Sequence, residues 1–236
     1  MITILIPTLN EKKNISIIIK SLLTNNNLEK IITNIIFIDD NSSDNSIEEF
    51  YEISNKFSKV KWITRTVKPK DLTKSILLGL NLVETKYVCV MDADLQHDTK
   101  VISSFYNLIK DNKYDLIIGS RFLDKSFIND LSMTRKIMSK SGNFISYFLG
   151  IKNIKDPLSG FFMIKTSIFK SISKKIDTEG FKILLTILVL LNKRIKTKEI
   201  QINFFSRKFG KSKLKFKIII KFLVQIFKLK FPRKIY

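Results

Sequence analysis

With 236 residues, 44% of them hydrophobic, the chain is long enough for one large domain around its own core, and its single cysteine, Cys89, excludes an intrachain disulfide. The formal net charge of +21 is concentrated in the tail: residues 182–236 hold sixteen Lys and Arg against one acid, Glu199, and so +15 of the total. A segment that basic calls for a polyanionic partner, either a nucleic acid or an anionic membrane surface.

The apolar run at 2–6 has no basic flank and is stopped by Pro7, too early for a signal peptide or a membrane span. It reads as a buried strand, followed by a helical pattern over 14–23. Further buried strands are expected at 35–38, 60–63, 87–91 and 116–118. Helices are expected over 46–57, 73–83 and 101–109, with Asp44 and Asp98 placed to cap two of them. This alternation predicts an α/β fold with a mostly parallel central sheet and helices on both faces. Cys89, among Val88, Val90 and Met91, should be buried in a strand, which fits a reducing compartment. Residues 183–191 read as a short buried helix. Over 214–229, Lys217, Lys221, Gln225 and Lys228 recur every three or four residues, with apolar side chains on the other faces. That is an amphipathic helix, too charged and short of the ~20 apolar residues a span needs. It is expected to lie in a membrane interface, to pack on the domain, or to dock a small membrane-embedded partner.

In open sheets of this type ligands bind beyond the carboxyl ends of the strands. Three polar loops directly follow predicted strands: Pro7-Thr8-Leu9-Asn10-Glu11, Asp39-Asp40-Asn41-Ser42 and Asp92-Ala93-Asp94. On an extended chain Asp92 and Asp94 would project the same way, and Gln96 could join them. Hard oxygen ligands suit Mg²⁺ or Mn²⁺, which usually complete their coordination with substrate phosphates. The alternative is that Asp94 or Asp98 only caps the next helix. No glycine-rich phosphate loop is present, which favours a metal-bridged diphosphate over a dinucleotide cradled by backbone amides. His97, the only histidine, is expected to support the site rather than act as a base.

Taken in order, these motifs resemble family 2 glycosyltransferases, most closely the dolichyl-phosphate mannose synthases and related polyprenyl-phosphate sugar transferases. The resemblance runs through Pro7 to Glu11, Ile38 to Ser42, Met91 to His97, Gly119-Ser120-Arg121, Arg135-Lys136 with Ser139, Asp156 to Phe161, and Arg207 with Gly210, Ser212, Lys213 and Leu214. It covers residues 2 to about 215. It implies a GT-A type nucleotide-binding domain over 1–213 and a basic, membrane-associating tail over 214–236. Pro7, Leu9, Glu11, Ile38 and Asp40 would line the nucleoside pocket. Asp92, Ala93, Asp94 and Gln96 would meet the donor, with Asp92, Asp94 and Gln96 holding the metal. Arg121, Arg207 and Lys213 would bind donor phosphates, and Asp92, Asp94 and Arg121 would form the catalytic group. Arg135 and Ser139, four residues apart, would receive the lipid phosphate.

The implied activity is transfer of mannose from GDP-mannose, with inversion, to a dolichyl-type polyprenyl phosphate at the cytosolic face of a membrane. One alternative is glucose or another hexose passed from a UDP-sugar to undecaprenyl phosphate. Others, from a different class, are a basic nucleic-acid-binding protein and a catalytically inactive scaffold; no nucleic-acid motif is present, so no nucleic acid is expected as a partner. The chain departs from the family pattern at Leu9 for Tyr, at Lys70 to Lys74 for a Gly-Leu-Gly stretch, at Leu158 for Thr and at Thr186 for Glu.

Overall fold

The computed structural model describes residues 1–123, 144–151, 153–176, 182–191, 194–209 and 216–231; Arg135, Ser139 and Lys213 lie outside them. Seven strands form one sheet: β1 Ile2–Thr8, β2 Ile32–Asp39, β3 Val60–Thr64, β4 Tyr87–Val90, β5 Leu116–Ser120, β6 Phe162–Lys165 and β7 Thr197–Gln201. Their spatial order is β3-β2-β1-β4-β6-β5-β7. Helices α1 Lys12–Leu23, α2 Asn26–Glu29, α3 Ser46–Ser54, α4 Leu72–Asn81 and α5 Val101–Lys110 connect the first five strands, and α6 Thr166–Ser173, α7 Ile183–Leu191 and α8 Phe216–Lys230 follow β6 and β7.

Strands β1 to β4 pair in parallel, and β7 pairs in parallel with β5. Only β6 runs the other way, antiparallel to both β4 and β5. Neither β6 nor β7 was among the expected strands. β6 is four residues long, and β7, at the sheet edge, carries Lys198, Glu199 and Gln201 in place of an apolar run. Its pairing to β5 is a backbone matter that residue type does not announce.

The sheet is buried on both faces, so its central strands are mostly apolar. Along β1, Ile4 and Ile6 join the core beneath α1, α3 and α5, while Leu5 joins the core beneath α4, α6 and α7. Helix α1 supplies Ile15, Ile18, Ile19 and Leu22 at helical spacing, all fully buried. Helix α4 lies so close to the sheet that a Cβ on Gly79 would stand 2.7 Å from the Ile38 side chain. Asp44 and Asp98 do accept backbone N–H groups at the starts of α3 and α5, from Ser46 and Lys100 respectively. Asp71 caps α4 through Lys74 N–H.

Helix α8 lies against the second core rather than apart from it. Phe222, Ile226 and Leu229 pack there, and Gln225 between them is 7% exposed. The other face is open: Ile220, Leu223, Val224, Phe227 and, just beyond the helix, Phe231 are all exposed. Lys230 Nζ donates to Phe148 O (2.7 Å), which brings the exposed Phe144 and Tyr147 alongside. Among the described residues no helix is long and apolar enough to cross a membrane.

Candidate functional site

The carboxyl ends of β1, β2 and β4 carry the three polar loops to one rim, as parallel pairing requires. The first two loops are stitched together. Asn10, at a left-handed φ of 51°, donates its N–H to Ser42 Oγ (2.8 Å) and accepts from Ser43 N–H (2.8 Å), while Lys12 N–H donates to Asp44 (2.9 Å). Asp39 folds back on Ser42, accepting from its N–H and hydroxyl.

Asp40 is spoken for within the chain. The buried Arg65 guanidinium pairs with its carboxylate, which also accepts from Asp71 N–H (2.6 Å). Arg65 donates further to Val67 O (2.6 Å) and Pro69 O (2.8 Å), and Lys70 Nζ reaches Asn41 O (2.7 Å). The 65–71 loop, whose last two residues begin the Lys70 to Lys74 departure from the family pattern, is thus wrapped around a buried ion pair. Pro7 is buried, Leu9 half-buried, and Glu11 buried while accepting from Asn14 Nδ2 (2.6 Å). The Ile38 side chain is 0% exposed in the core under Gly79, so it is not brought to the rim.

The third loop does not stay extended. Strand β4 stops at Val90 and Leu95 takes a φ of 60°, so a turn, not the strand pleat, sets the two carboxylates. Segment 202–207 crosses this turn. Phe205 N–H donates to Gln96 O (2.9 Å), Gln96 Nε2 donates to Phe205 O (3.0 Å), and Arg207 donates to Asp94 Oδ2 (2.7 Å). The His97 ring lies between Phe161 and Phe204, with centroids at 4.8 and 5.5 Å, and its Nε2 sits 3.4 Å from Asp92 Oδ2. Gly160 faces Asp92 so closely that any Cβ there would collide with the carboxylate. Ala93 is buried within the turn.

The two aspartates differ in charge environment. Burial works to raise the Asp92 pKa, but the hydrogen bond and charge of His97, with the charges of Lys182 and Arg121, outweigh it and hold the group at about 2. Burial raises the Asp94 pKa, and the negative charge of Asp92 adds to that, against the pull of His97 and Arg207. Crowded like charges of this kind are what a divalent cation relieves.

Arg121 is fixed by a fork. Its Nε and Nη2 each donate to Asp156 at 2.7 Å, and its backbone N–H donates to the same carboxylate (3.0 Å). The guanidinium also stacks near the Phe122 and Phe204 rings, 5.1 and 5.3 Å from their centroids. Glu199 of β7 holds the Asp156 loop by accepting from the N–H groups of Lys155 and Asp156. Arg65, Asp156, Glu199 and Lys182 take part in this rim without having been singled out for it. Asp156 stood inside a motif, whereas the others carry no local signal: Arg65 meets Asp40, Glu199 meets Lys155 and Asp156, and Lys182 acts on Asp92, each across 25 or more residues.

Asp92, Asp94, Gln96, Arg121 and Arg207 therefore come together, with Pro7, Leu9, Glu11 and Asp40 further along the same rim. Among the described residues no three His, Cys, Asp or Glu side chains converge into a complete ligand shell. The donor set fits a hard dication that takes two carboxylates from the protein and its other ligands from a substrate.

The glycosyl transferase family 2 pattern matches residues 3–173. A dolichol-phosphate mannosyltransferase of Pyrococcus furiosus is 34% identical over 230 residues, covering 97% of this chain and 63% of that protein, so the chain spans less than two thirds of its length. One of Saccharomyces cerevisiae is 31% identical over 231 residues, covering 95% of this chain and 85% of the yeast protein. In fold, the chain is similar to glucosyl-3-phosphoglycerate synthase of Mycobacterium tuberculosis, solved with Mn²⁺, UDP-glucose and phosphoglyceric acid. The TM-score is 0.68 at 15% identity, with 96% of this chain and 79% of that one covered. By the extent of the sequence match, and with a GT-A sheet carrying the Asp-x-Asp turn at its rim, the chain belongs to glycosyl transferase family 2.

Proposed function

We propose that the chain transfers a sugar, with inversion, from a nucleoside diphosphate donor to a polyprenyl phosphate, and that the pair is mannose from GDP-mannose and a dolichyl-type acceptor. The names of the Pyrococcus and yeast relatives support the acceptor and the sugar. The observation that carries the reading is the crowding of Asp92 and Asp94 against cations from three separate segments, at the carboxyl ends of parallel strands. Asp92 and Asp94, with the Gln96 amide oxygen, would hold Mg²⁺ or Mn²⁺, which when bound supplies charge neutralisation for the donor diphosphate.

A phosphate acceptor is ionised near neutrality, so its oxygen needs no strong base to attack the anomeric carbon. In this reading His97, buried between two rings, orients Asp92 and is not the base. The larger demand is the charge that grows on the departing diphosphate as the glycosidic bond breaks. In this reading Arg207 and Arg121, each oriented by a carboxylate, would meet that charge together with Lys213, and Arg135 and Ser139 would receive the acceptor phosphate.

The tail has a physical purpose if the acceptor is a membrane lipid. The open face of α8, with Phe144, Tyr147 and Phe231 beside it, would seat in the interface of the cytosolic leaflet while the buried face keeps it on the domain. Each lysine near an anionic surface adds on the order of 1 kcal/mol. Residues 1–213 then form the transferase domain and 214–236 its membrane-associating tail.

The test is incubation of the full chain with radiolabelled nucleotide sugars, polyprenyl-phosphate membranes and Mn²⁺, followed by extraction of lipid. Mannosylated lipid from GDP-mannose is expected. Label moving only from UDP-glucose would shift the donor, and no product from any donor would overturn the reading. Co-sedimentation with anionic vesicles, against a gel shift with RNA or DNA, tests the tail.

A further inference from the structure

Just before α7, in a segment that no motif covers, Lys182 borders a cavity of about 20 Å³ shared with Leu72, Ile76, Asp92, Ser159 and Gly160. That is room for one small polar group. The ammonium acts electrostatically on Asp92, Asp156 and Asp94 and is repelled by Arg121, so it belongs to the same charge cluster as the Asp-x-Asp turn. Burial lowers its pKa, and those three carboxylates work to restore the charge.

The backbone of the same residue is held from the other side. Gln225, on the buried face of α8, donates from Nε2 to Lys182 O (3.3 Å) and to Thr186 Oγ1 (2.9 Å). Thr186 stands where the family resemblance leads one to expect Glu, and a hydroxyl there is an acceptor that the Gln225 amide meets without burying a second charge. Gln225 therefore joins the helix with the open apolar face to a cation that faces the site.

We propose that Lys182 is a further binding residue, contacting a phosphate oxygen of the substrate, and that the docked α8 positions it through Gln225. The inference rests on the donor reading above and extends it. Once Asp92 and Asp94 are committed to a divalent cation, the positive charge of Lys182 has less carboxylate to balance it. An anionic oxygen entering the cavity restores that balance. An ammonium, compact and able to turn its three donors, suits a group whose charge grows during the reaction.

Calorimetric titration of the full chain with GDP and UDP in Mn²⁺, and with the matching monophosphates, tests this. Lys182→Met is expected to weaken the diphosphate about tenfold or more, the size of a lost charge-assisted hydrogen bond. It should leave the monophosphate within about twofold, because the nucleoside half is held elsewhere. Lys182→Arg should recover most of the loss. Gln225→Leu should weaken the diphosphate about threefold with the same selectivity, a fraction of the direct loss. Lys20→Met, an exposed charge on α1, controls for net charge. If Lys182→Met does not fold, Lys182→Gln is read in its place. Unchanged diphosphate affinity, or an equal loss for the monophosphate, overturns the role of Lys182. A Gln225→Leu chain that binds like the wild type overturns the coupling to α8. A wild-type chain that binds neither diphosphate overturns the donor reading itself and the inference with it.

Discussion

The Asp40 corner and the Asp92–Asp94 corner both place carboxylates at the carboxyl ends of parallel strands, and they use them in opposite ways. Asp40 meets one buried guanidinium and one backbone N–H, both from the loop that follows β3. Its charge is balanced locally and holds the 65–71 loop in shape. Asp92 and Asp94 press on each other and share cations drawn from residues 121, 182 and 207, which lie on separate segments. Their charge is shared across elements and can be handed to an incoming ion. The same residue type thus holds a loop in shape where its own partners balance its charge, and is left to meet an incoming ion where a second carboxylate crowds it.

The widest separation between the two corners should appear with Asp94→Asn, which keeps the shape and removes the charge. Sugar transfer should fall about 10³-fold, or roughly 4 kcal/mol of transition-state stabilisation. A variant with full lipid glycosylation would end the assignment. Arg65→Met should do the reverse. It leaves Asp40 buried without its counter-ion, at a cost of about 3 kcal/mol in denaturant unfolding. Adding Asp40→Asn should recover much of that loss, and failure to recover it would mean that Arg65 acts through packing alone.

A smaller effect sharpens the contrast through stability. The folded-state pKa of Asp94 lies above its unfolded value, so the ionised group costs stability as pH rises through that interval and costs nothing below the unfolded pKa of about 3.9. Asp94→Asn should therefore melt about 2 °C above the metal-free wild type at pH 7, with the gain vanishing near pH 3.5. The smallest expected change is at Asp115, a third carboxylate that follows the Asp40 pattern. Burial works to raise its pKa, but Lys165 Nζ (2.7 Å) and Lys196 N–H (2.8 Å) donate to it and hold it below the ordinary value. Its contribution is present above about pH 3.9 and lost as pH falls through the lowered value. Asp115→Asn should cost about 1 kcal/mol at pH 7 and little at pH 2.

Much of the sheet and part of the rim could be read from residue order. Ile2 to Ile6, but for the buried Thr3, and Ile35 to Ile38 and Tyr87 to Val90 are apolar because both of their faces are covered, and the loops after them had to meet at one rim once pairing was parallel. β6 and β7 could not be read in the same way. One is too short for a periodic signal, and the other is an edge strand whose polar side chains hide its backbone pairing. In the site, Asp92, Asp94, Arg121 and Arg207 stood in motifs, as did His97 and Asp156 that meet Asp92 and Arg121, but other partners did not. Arg65, Glu199 and Lys182 act through tertiary proximity, which a linear pattern does not encode. The turn at Leu95 was missed for a related reason: a leucine gives no local signal for a left-handed φ, and the segment that bonds the turn, through Phe205 N–H to Gln96 O, is more than a hundred residues away.

The reversed strand β6 has a consequence for how such a molecule can diversify. Because β6 runs antiparallel to β5, the chain leaves the sheet at Ser120 and re-enters it at Phe162 on the same rim. The sheet needs only that these two ends stay where they are. Within the stretch between them Arg121, Asp156, Ser159, Gly160 and Phe161 stay tied to the rim, through the Asp156 fork, Gly119 O, Asp92 and the His97 ring, so an exchange that keeps these stem residues leaves the register of every strand unchanged. A chimera that takes a relative's stretch between these stems, with the five residues kept, is expected to retain the fold and the Asp92 and Asp94 carboxylates, checked by thermal unfolding.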